Sequence, residues 1–314
     1  MIRLRDYFRS HPLSRILSPL IVGLLLTQAI TDPAALLGLL ENLVLISLVL
    51  TTAVGIHEFC HLLAARALGI GVDEYGLAFG PTIVSRQAFG IRWCINALPV
   101  GGYVKLHGEG EDVGGNSFVA APAWKKVLVY VVGPISNLIL ALILLLIAGM
   151  VLLGTTDAAN IVADRSNSNL LWWFQTDWQF ATSVIANIYA STVNAIAGFL
   201  PHATSSPLDM PLAGIPSMAT VSSKMLAQGL AMFVIFAALI NLSLGVMNLL
   251  PIPPLDGGQA AVAVLQGILG RYYPARLIGA VTIATLLLLI GFMVYVNGID
   301  FFRNLIGYMP SVAQ

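Results

Sequence analysis

The sequence predicts an α-helical polytopic membrane protein, with about five transmembrane helices and a small membrane-associated β-sheet on the cytoplasmic side. Three observations lead there. Of the 314 residues, 58% are hydrophobic and only 10% are charged, far from the balance of a soluble domain. Several stretches approach the roughly 20 apolar residues that a bilayer-spanning helix requires. Lysine and arginine also fall almost wholly into one set of alternate loops, the asymmetry expected of cytoplasmic segments. Acidic and basic residues balance at 15 each, so no global charge points to a nucleic-acid partner. The two cysteines, Cys60 and Cys94, are too few for a disulfide framework.

The apolar stretches are 16–30, 39–63, 127–153, 230–250 and 277–296. The first follows Arg3, Arg5, Arg9 and Arg15 and contains Pro19. It is read as a retained helix, with a cleaved signal peptide as the competing reading. On this layout Arg3 to Arg15, Arg66 to Lys126, and Arg271 with Arg276 lie on one side, leaving only Arg165, Lys224 and Arg303 on the other. That count puts the N-terminus inside and the C-terminus outside. A bacterial inner membrane is compatible with that count, and an archaeal or organelle membrane would look similar.

The chain is therefore divided into a basic segment with an extra helix over 1–37, a first core part over 38–154, an outer loop over 155–227 and a second core part over 228–314. In the outer loop, Trp172, Trp173 and Trp178 precede 180–200, an apolar run interrupted by Ser183, Asn187, Ser191 and Asn194. Such a segment suits the membrane interface. Between 71 and 124, short runs rich in valine, isoleucine and aromatics alternate with glycine-containing breaks, the pattern of a small antiparallel sheet. It is too apolar for a freely solvated hairpin, which places it against the membrane.

Two segments carry the chemistry. His57-Glu58-Phe59-Cys60-His61 fits H-E-x-x-H, whose histidines share one helical face and can reach one metal. Ionisable residues inside a span are functional candidates by default. The competing reading is a pair of hydrogen-bonding histidines with Glu58 paired to Arg66. A catalytic zinc site takes three protein ligands and leaves one position for water, so one more ligand is required. Asp256 lies in the stretch Asn248-Leu249-Leu250-Pro251-Ile252-Pro253-Pro254-Leu255-Asp256-Gly257-Gly258. There the prolines break the helix, and irregular backbone at membrane depth implies a protein-lined or watery cavity. The topology puts Asp256 at the same membrane face as the histidines, although a loop aspartate in a Pro-Gly turn is common.

These two segments together resemble the site-2 protease family of intramembrane zinc metalloproteases. Gly133-Pro134-Ile135-Ser136-Asn137 resembles its G-P-x-x-N motif, and Phe79-Gly80-Pro81 with Pro99 to Lys105 resembles its β-hairpin region. The resemblance implies one zinc held by His57, His61 and Asp256, Glu58 as general base, and Asn248 as a helper near the metal. Asn137 is a further candidate for the same lining. Asn241, seven residues before Asn248 on the same helical face, is another, with an interhelical hydrogen bond as its competing role.

The implied partner is a single-span membrane substrate in the lipid bilayer. An edge strand between Gly71 and Val104 would hold it by β-augmentation. The outer loop is too short and too rich in tryptophan for the PDZ domain of many members, and the tail is too short for the CBS domain of others. Cys60 replaces a common glycine and, turned from the histidine face, is read as packing. The alternatives from other classes are a zinc-binding transporter or sensor and a non-catalytic helix-binding homologue. Oligomeric state is not legible.

Overall fold

The computed structural model describes residues 33–109, 113–154, 214–270 and 274–307. Six helices and two long strands follow in the order α1 (Pro33–Ala67), β1 (Val72–Ala88), β2 (Ile91–Leu106), α2 (Ala123–Gly154), α3 (Ile215–Ala227), α4 (Leu230–Asn248), α5 (Asp256–Leu269) and α6 (Ala275–Gly307). Among the described residues four segments are long and apolar enough to cross a membrane: Leu40–Ala67, Ala123–Ala148, Leu230–Asn248 and Arg276–Asp300. They match the last four stretches read from the sequence. The stretch 16–30 and the segment 180–200 lie outside the described residues. Large apolar side chains such as Val44 and Leu48 on α1, Ile139 on α2, and Leu287 and Leu288 on α6 are exposed. A soluble surface would not tolerate such runs, whereas lipid solvates them.

The chain forms two compact units. One holds the described residues up to Gly133 together with Ala263–Gly270. Its core joins Leu62 and Ala65 of α1 to Ile70, Val72, Tyr75, Ile91, Leu106, Phe118 and Val129. Helix α1 ends where Gly69 takes φ 77°, a left-handed conformation that glycine adopts without strain. The N–H of Ile70 then returns to the carbonyl of Ala65 at 2.8 Å. Two cations serve this helix terminus, where the carbonyls carry partial negative charge. Lys125 Nζ donates to the carbonyl of Leu68 at 2.6 Å, and Arg66 reaches across to the carbonyl of Phe89 at 2.8 Å.

Strands β1 and β2 form a two-stranded antiparallel sheet. Phe89 and Gly90 make the connecting turn with φ 55° and 77°, the pair of positive angles that matches the twist of a tight hairpin. The strands curl, so that Tyr75, Gly76 and Leu77 have partners on both sides: Val104, Tyr103 and Gly102 on one, Trp93, Cys94 and Ile95 on the other. The segment 102–106 is thereby left as an edge. Asn96 donates to the carbonyl of Ala78 at 3.0 Å, bracing the irregular stretch where Ala78 takes φ 66°.

The second unit holds residues from Pro134 to Val262 and from Arg271 onwards. Helix α4 approaches α2 at Gly245, where a Cβ would meet Leu138 Cδ2 at 2.7 Å and the Pro134 carbonyl at 3.0 Å. A small residue there lets two apolar helices pack backbone to backbone without lipid between them. The start of α3 is fixed to α6. Asp300 accepts from the N–H groups of Gly214 at 3.1 Å and Ser217 at 2.8 Å and from the Ser217 hydroxyl, while Asn297 accepts from the N–H of Ile215 at 2.9 Å. A carboxylate from another helix thus satisfies donors that the first turn of α3 leaves open.

Candidate active site

His57 and His61 stand one turn apart on α1 and are 4% and 5% exposed. Their Nε2 atoms approach to 3.0 Å, with ring centroids 4.7 Å apart at 81°. The Nδ1–H of His61 donates to the carbonyl of Val129 on α2 at 2.6 Å. A carbonyl only accepts, so Nδ1 carries the proton and the neutral ring keeps its lone pair on Nε2. An acceptor behind the ring fixes the tautomer of a metal-binding histidine in this way.

Helix α2 reaches the rings because residue 133 is glycine. A Cβ on Gly133 would meet His61 Nε2 at 2.3 Å, His61 Cε1 at 2.5 Å and His57 Nε2 at 2.8 Å. The space that this missing methyl leaves lies at the two converging nitrogens. Next in the chain, Pro134 sits inside α2 and supplies no N–H.

Asp256 is the first residue of α5 and is half-buried. Leu249 to Leu255 form an irregular connection, tightened by the N–H of Ile252 on the carbonyl of Leu250 at 2.7 Å and that of Leu255 on the carbonyl of Ile252 at 2.9 Å. The glycines after Asp256 allow that connection to fold onto the helix start. A Cβ on Gly257 would meet the Leu249 carbonyl oxygen at 2.4 Å, and one on Gly258 the carbonyl carbon of Ile252 at 2.2 Å. One ligand atom from each of His57, His61 and Asp256 lies within 4.8 Å of the others. Two imidazole nitrogens and a carboxylate oxygen are the donor set of a catalytic zinc centre.

The other residues named from the sequence are distributed as follows. Glu58, half-buried beside His57, accepts a hydrogen bond through Oε2 from the N–H of Val104 at 3.2 Å. Asn137 is wholly buried. Asn241 is buried and donates to the carbonyl of Ala237 in its own helix at 2.8 Å. Asn248 is the last residue of α4 and is half-buried. Cys60 is a free thiol outside the metal-ligand group, as its helical position requires.

Sequence reasoning missed three contributors: the Val129 carbonyl, the steric role of Gly133 and Tyr75. The Tyr75 hydroxyl donates to the carbonyl of Gly55 at 2.7 Å. Its pKa is pushed up to about 12, first by burial and then by the nearby Glu58 and Cys60 charges. The G-P-x-x-N match was the available signal for Gly133, but its close contact with the imidazoles is tertiary. Main-chain carbonyls leave no trace in residue identity.

Four apolar spans and this site define an integral membrane zinc metalloprotease. The sequence pattern of Peptidase family M50 matches residues 45–292, and the chain belongs to that family. Among its relatives, Metalloprotease MmpA of Caulobacter vibrioides is 24% identical over 83% of this chain and 95% of its own length. Cj1068 of Campylobacter jejuni, a candidate zinc metalloprotease, is 24% identical over 82% of this chain and 92% of its own length. CA_C1796 of Clostridium acetobutylicum, described in the same way, is 25% identical over 82% and 96%.

Proposed function

We propose that the chain is an intramembrane zinc endopeptidase that hydrolyses peptide bonds in or beside the transmembrane segment of a single-span substrate. The observation that carries this reading is the grouping of His57, His61 and Asp256, with the first two on an apolar helix long enough to span a bilayer. His57, His61 and Asp256 hold the metal. When bound, zinc supplies Lewis acidity and brings the pKa of a water molecule towards about 7.

Glu58 takes a proton from the attacking water, whose oxygen bonds to the scissile carbonyl carbon. Asn248 donates to the oxygen on which negative charge develops. As the carbon–nitrogen bond breaks, Glu58 returns the proton to the leaving amine. The chain uses one water and releases a carboxylate and an amine. Because a helical substrate hides its carbonyls in its own hydrogen bonds, it must be extended first. The edge 102–106 supports β-augmentation as the means. Asn137 and Asn241 are proposed lining residues.

The lysine and arginine asymmetry supports a five-span topology, with the N-terminus and the site towards the cytoplasm of a bacterial inner membrane and the helix at 16–30 retained. The reading is tested on wild type and Glu58→Gln purified in detergent, with zinc content and cleavage of a single-span substrate measured together. Equal zinc with cleavage only by the wild type supports it. Equal zinc with no cleavage by either, across a substrate panel, moves the assignment to a zinc transporter or sensor or to a helix-binding homologue.

A further inference from the structure

Glycine at two positions brings the sheet onto α1 beside the metal-binding histidines. A Cβ on Gly102 would stand 3.6 Å from the Cα of Gly55 and 3.8 Å from its nitrogen, so the edge of β2 lies main chain against main chain on the helix. Glu58 follows Gly55 by three residues and shares its face. Val104 follows Gly102 by two and points the same way along the strand. The helix advances about 4.5 Å from Gly55 to Glu58 and the strand about 6.7 Å from Gly102 to Val104, and there the Val104 amide meets the Glu58 carboxylate. It donates to Oε2 at 3.2 Å.

Tyr75 closes a ring of contacts around this bond. Its main chain is paired with Val104 in the sheet, and its hydroxyl donates to the Gly55 carbonyl at 2.7 Å. Helix, inner strand and edge strand are therefore tied together at Gly55, Tyr75 and Val104. A flexible glutamate side chain is held at one oxygen by a donor whose own position is fixed on both sides.

We propose that the main-chain amide of Val104 is a positioning group for Glu58: it holds Oε2 so that the carboxylate is aimed for proton transfer. This rests on the proteolytic reading above and differs from the role of the edge in seizing substrate. A donor used only to grip a substrate strand would affect substrate affinity. A donor that aims the base affects turnover.

The test uses the full chain in detergent and a peptide with one apolar span, comparing wild type, Val104→Ala and Val104→Pro for zinc content, kcat and KM. Alanine keeps the N–H. Proline removes it at an edge position, where proline is best tolerated in a sheet. A variant carrying the α-hydroxy acid of valine at position 104 removes the same donor without the ring. It decides the question if Val104→Pro does not fold.

The effect of removing the donor is read against Val104→Ala, which shortens the side chain and keeps the N–H. Removal of the donor is expected to lower kcat about tenfold or more, the size of a hydrogen bond to a charged group, with zinc content unchanged and KM within about twofold. A raised KM with kcat intact would overturn the positioning role and leave the amide as a substrate grip. Unchanged kcat and KM would overturn it too. If wild type and Val104→Ala both bind zinc yet fail to cleave, the proteolytic reading itself falls and this inference with it.

Discussion

His61 donates its Nδ1 proton to the carbonyl oxygen of Val129 across 2.6 Å, so α2 sets the orientation of a ring in the candidate metal site on α1. The same helix carries Gly133 one turn later, against both imidazoles. Helix α2 thus acts as a wall that turns His61 and leaves room at its Nε2.

Gly133→Ala places a methyl group 2.3 Å from His61 Nε2 unless something shifts. The rings are buried and cannot swing into solvent. Zinc affinity is expected to fall about ten- to hundredfold, the range of outer-shell changes. Competition with a chromophoric chelator measures it, and the helical circular dichroism is expected to stay at the wild-type level.

Asp256→Asn keeps the shape of the side chain and removes its negative charge. Loss of one of the three proposed ligands is expected to weaken zinc binding at least about a hundredfold, beyond the effect of a change outside the ligand set. Zinc per chain after dialysis reads this directly.

Tyr75→Phe removes the hydroxyl and leaves the Gly55 carbonyl short of a partner. A loss of about 1 kcal/mol is expected in detergent denaturation. The pH dependence has a definite sign. The folded hydroxyl holds its proton to about pH 12, whereas in the unfolded chain it ionises near 10. From about pH 10 to 12 the unfolded state binds fewer protons, so this group lowers stability as pH rises. Ultraviolet titration is expected to show one tyrosinate step near pH 12 that Tyr75→Phe lacks.

Asp300→Ala leaves three donors at the start of α3 without their acceptor, the N–H groups of Gly214 and Ser217 and the Ser217 hydroxyl. The carboxylate is 2% exposed, so water does not readily replace it. A cost of about 1–2 kcal/mol is expected, as for loss of a strong helix cap, and Asp300→Asn is expected to recover part of it. Thermal unfolding in detergent gives both values.

Where periodicity and composition carry the information, the fold was legible. The stretches 39–63, 127–153, 230–250 and 277–296 fall in helices long and apolar enough to cross a membrane, and the strand-like runs read between 71 and 124 include β1 and β2. His57, His61 and Asp256, named from ligand spacing and resemblance, are brought together. Two short helices were not read. Helix α3 has proline near its start and serines along its length, and its first turn depends on Asn297 and Asp300, more than 80 residues away. Helix α5 begins Asp-Gly-Gly, which reads locally as a turn. Helix-breaking residues obscured both, because contacts distant in sequence offset their poor intrinsic propensity. Val104 was named for substrate, and its amide meets Glu58, a contact that depends on two glycines 47 residues apart.

The closed turn before Asp256 bears on how the protein acquires its ion. Pro251, Pro253 and Pro254 limit the backbone on one side, and the contacts at Gly257 and Gly258 leave no slack on the other. Small zinc domains commonly fold only as they bind. Here the conformational entropy of placing the aspartate is spent when the polypeptide folds, so ion exchange becomes a local event in a standing architecture.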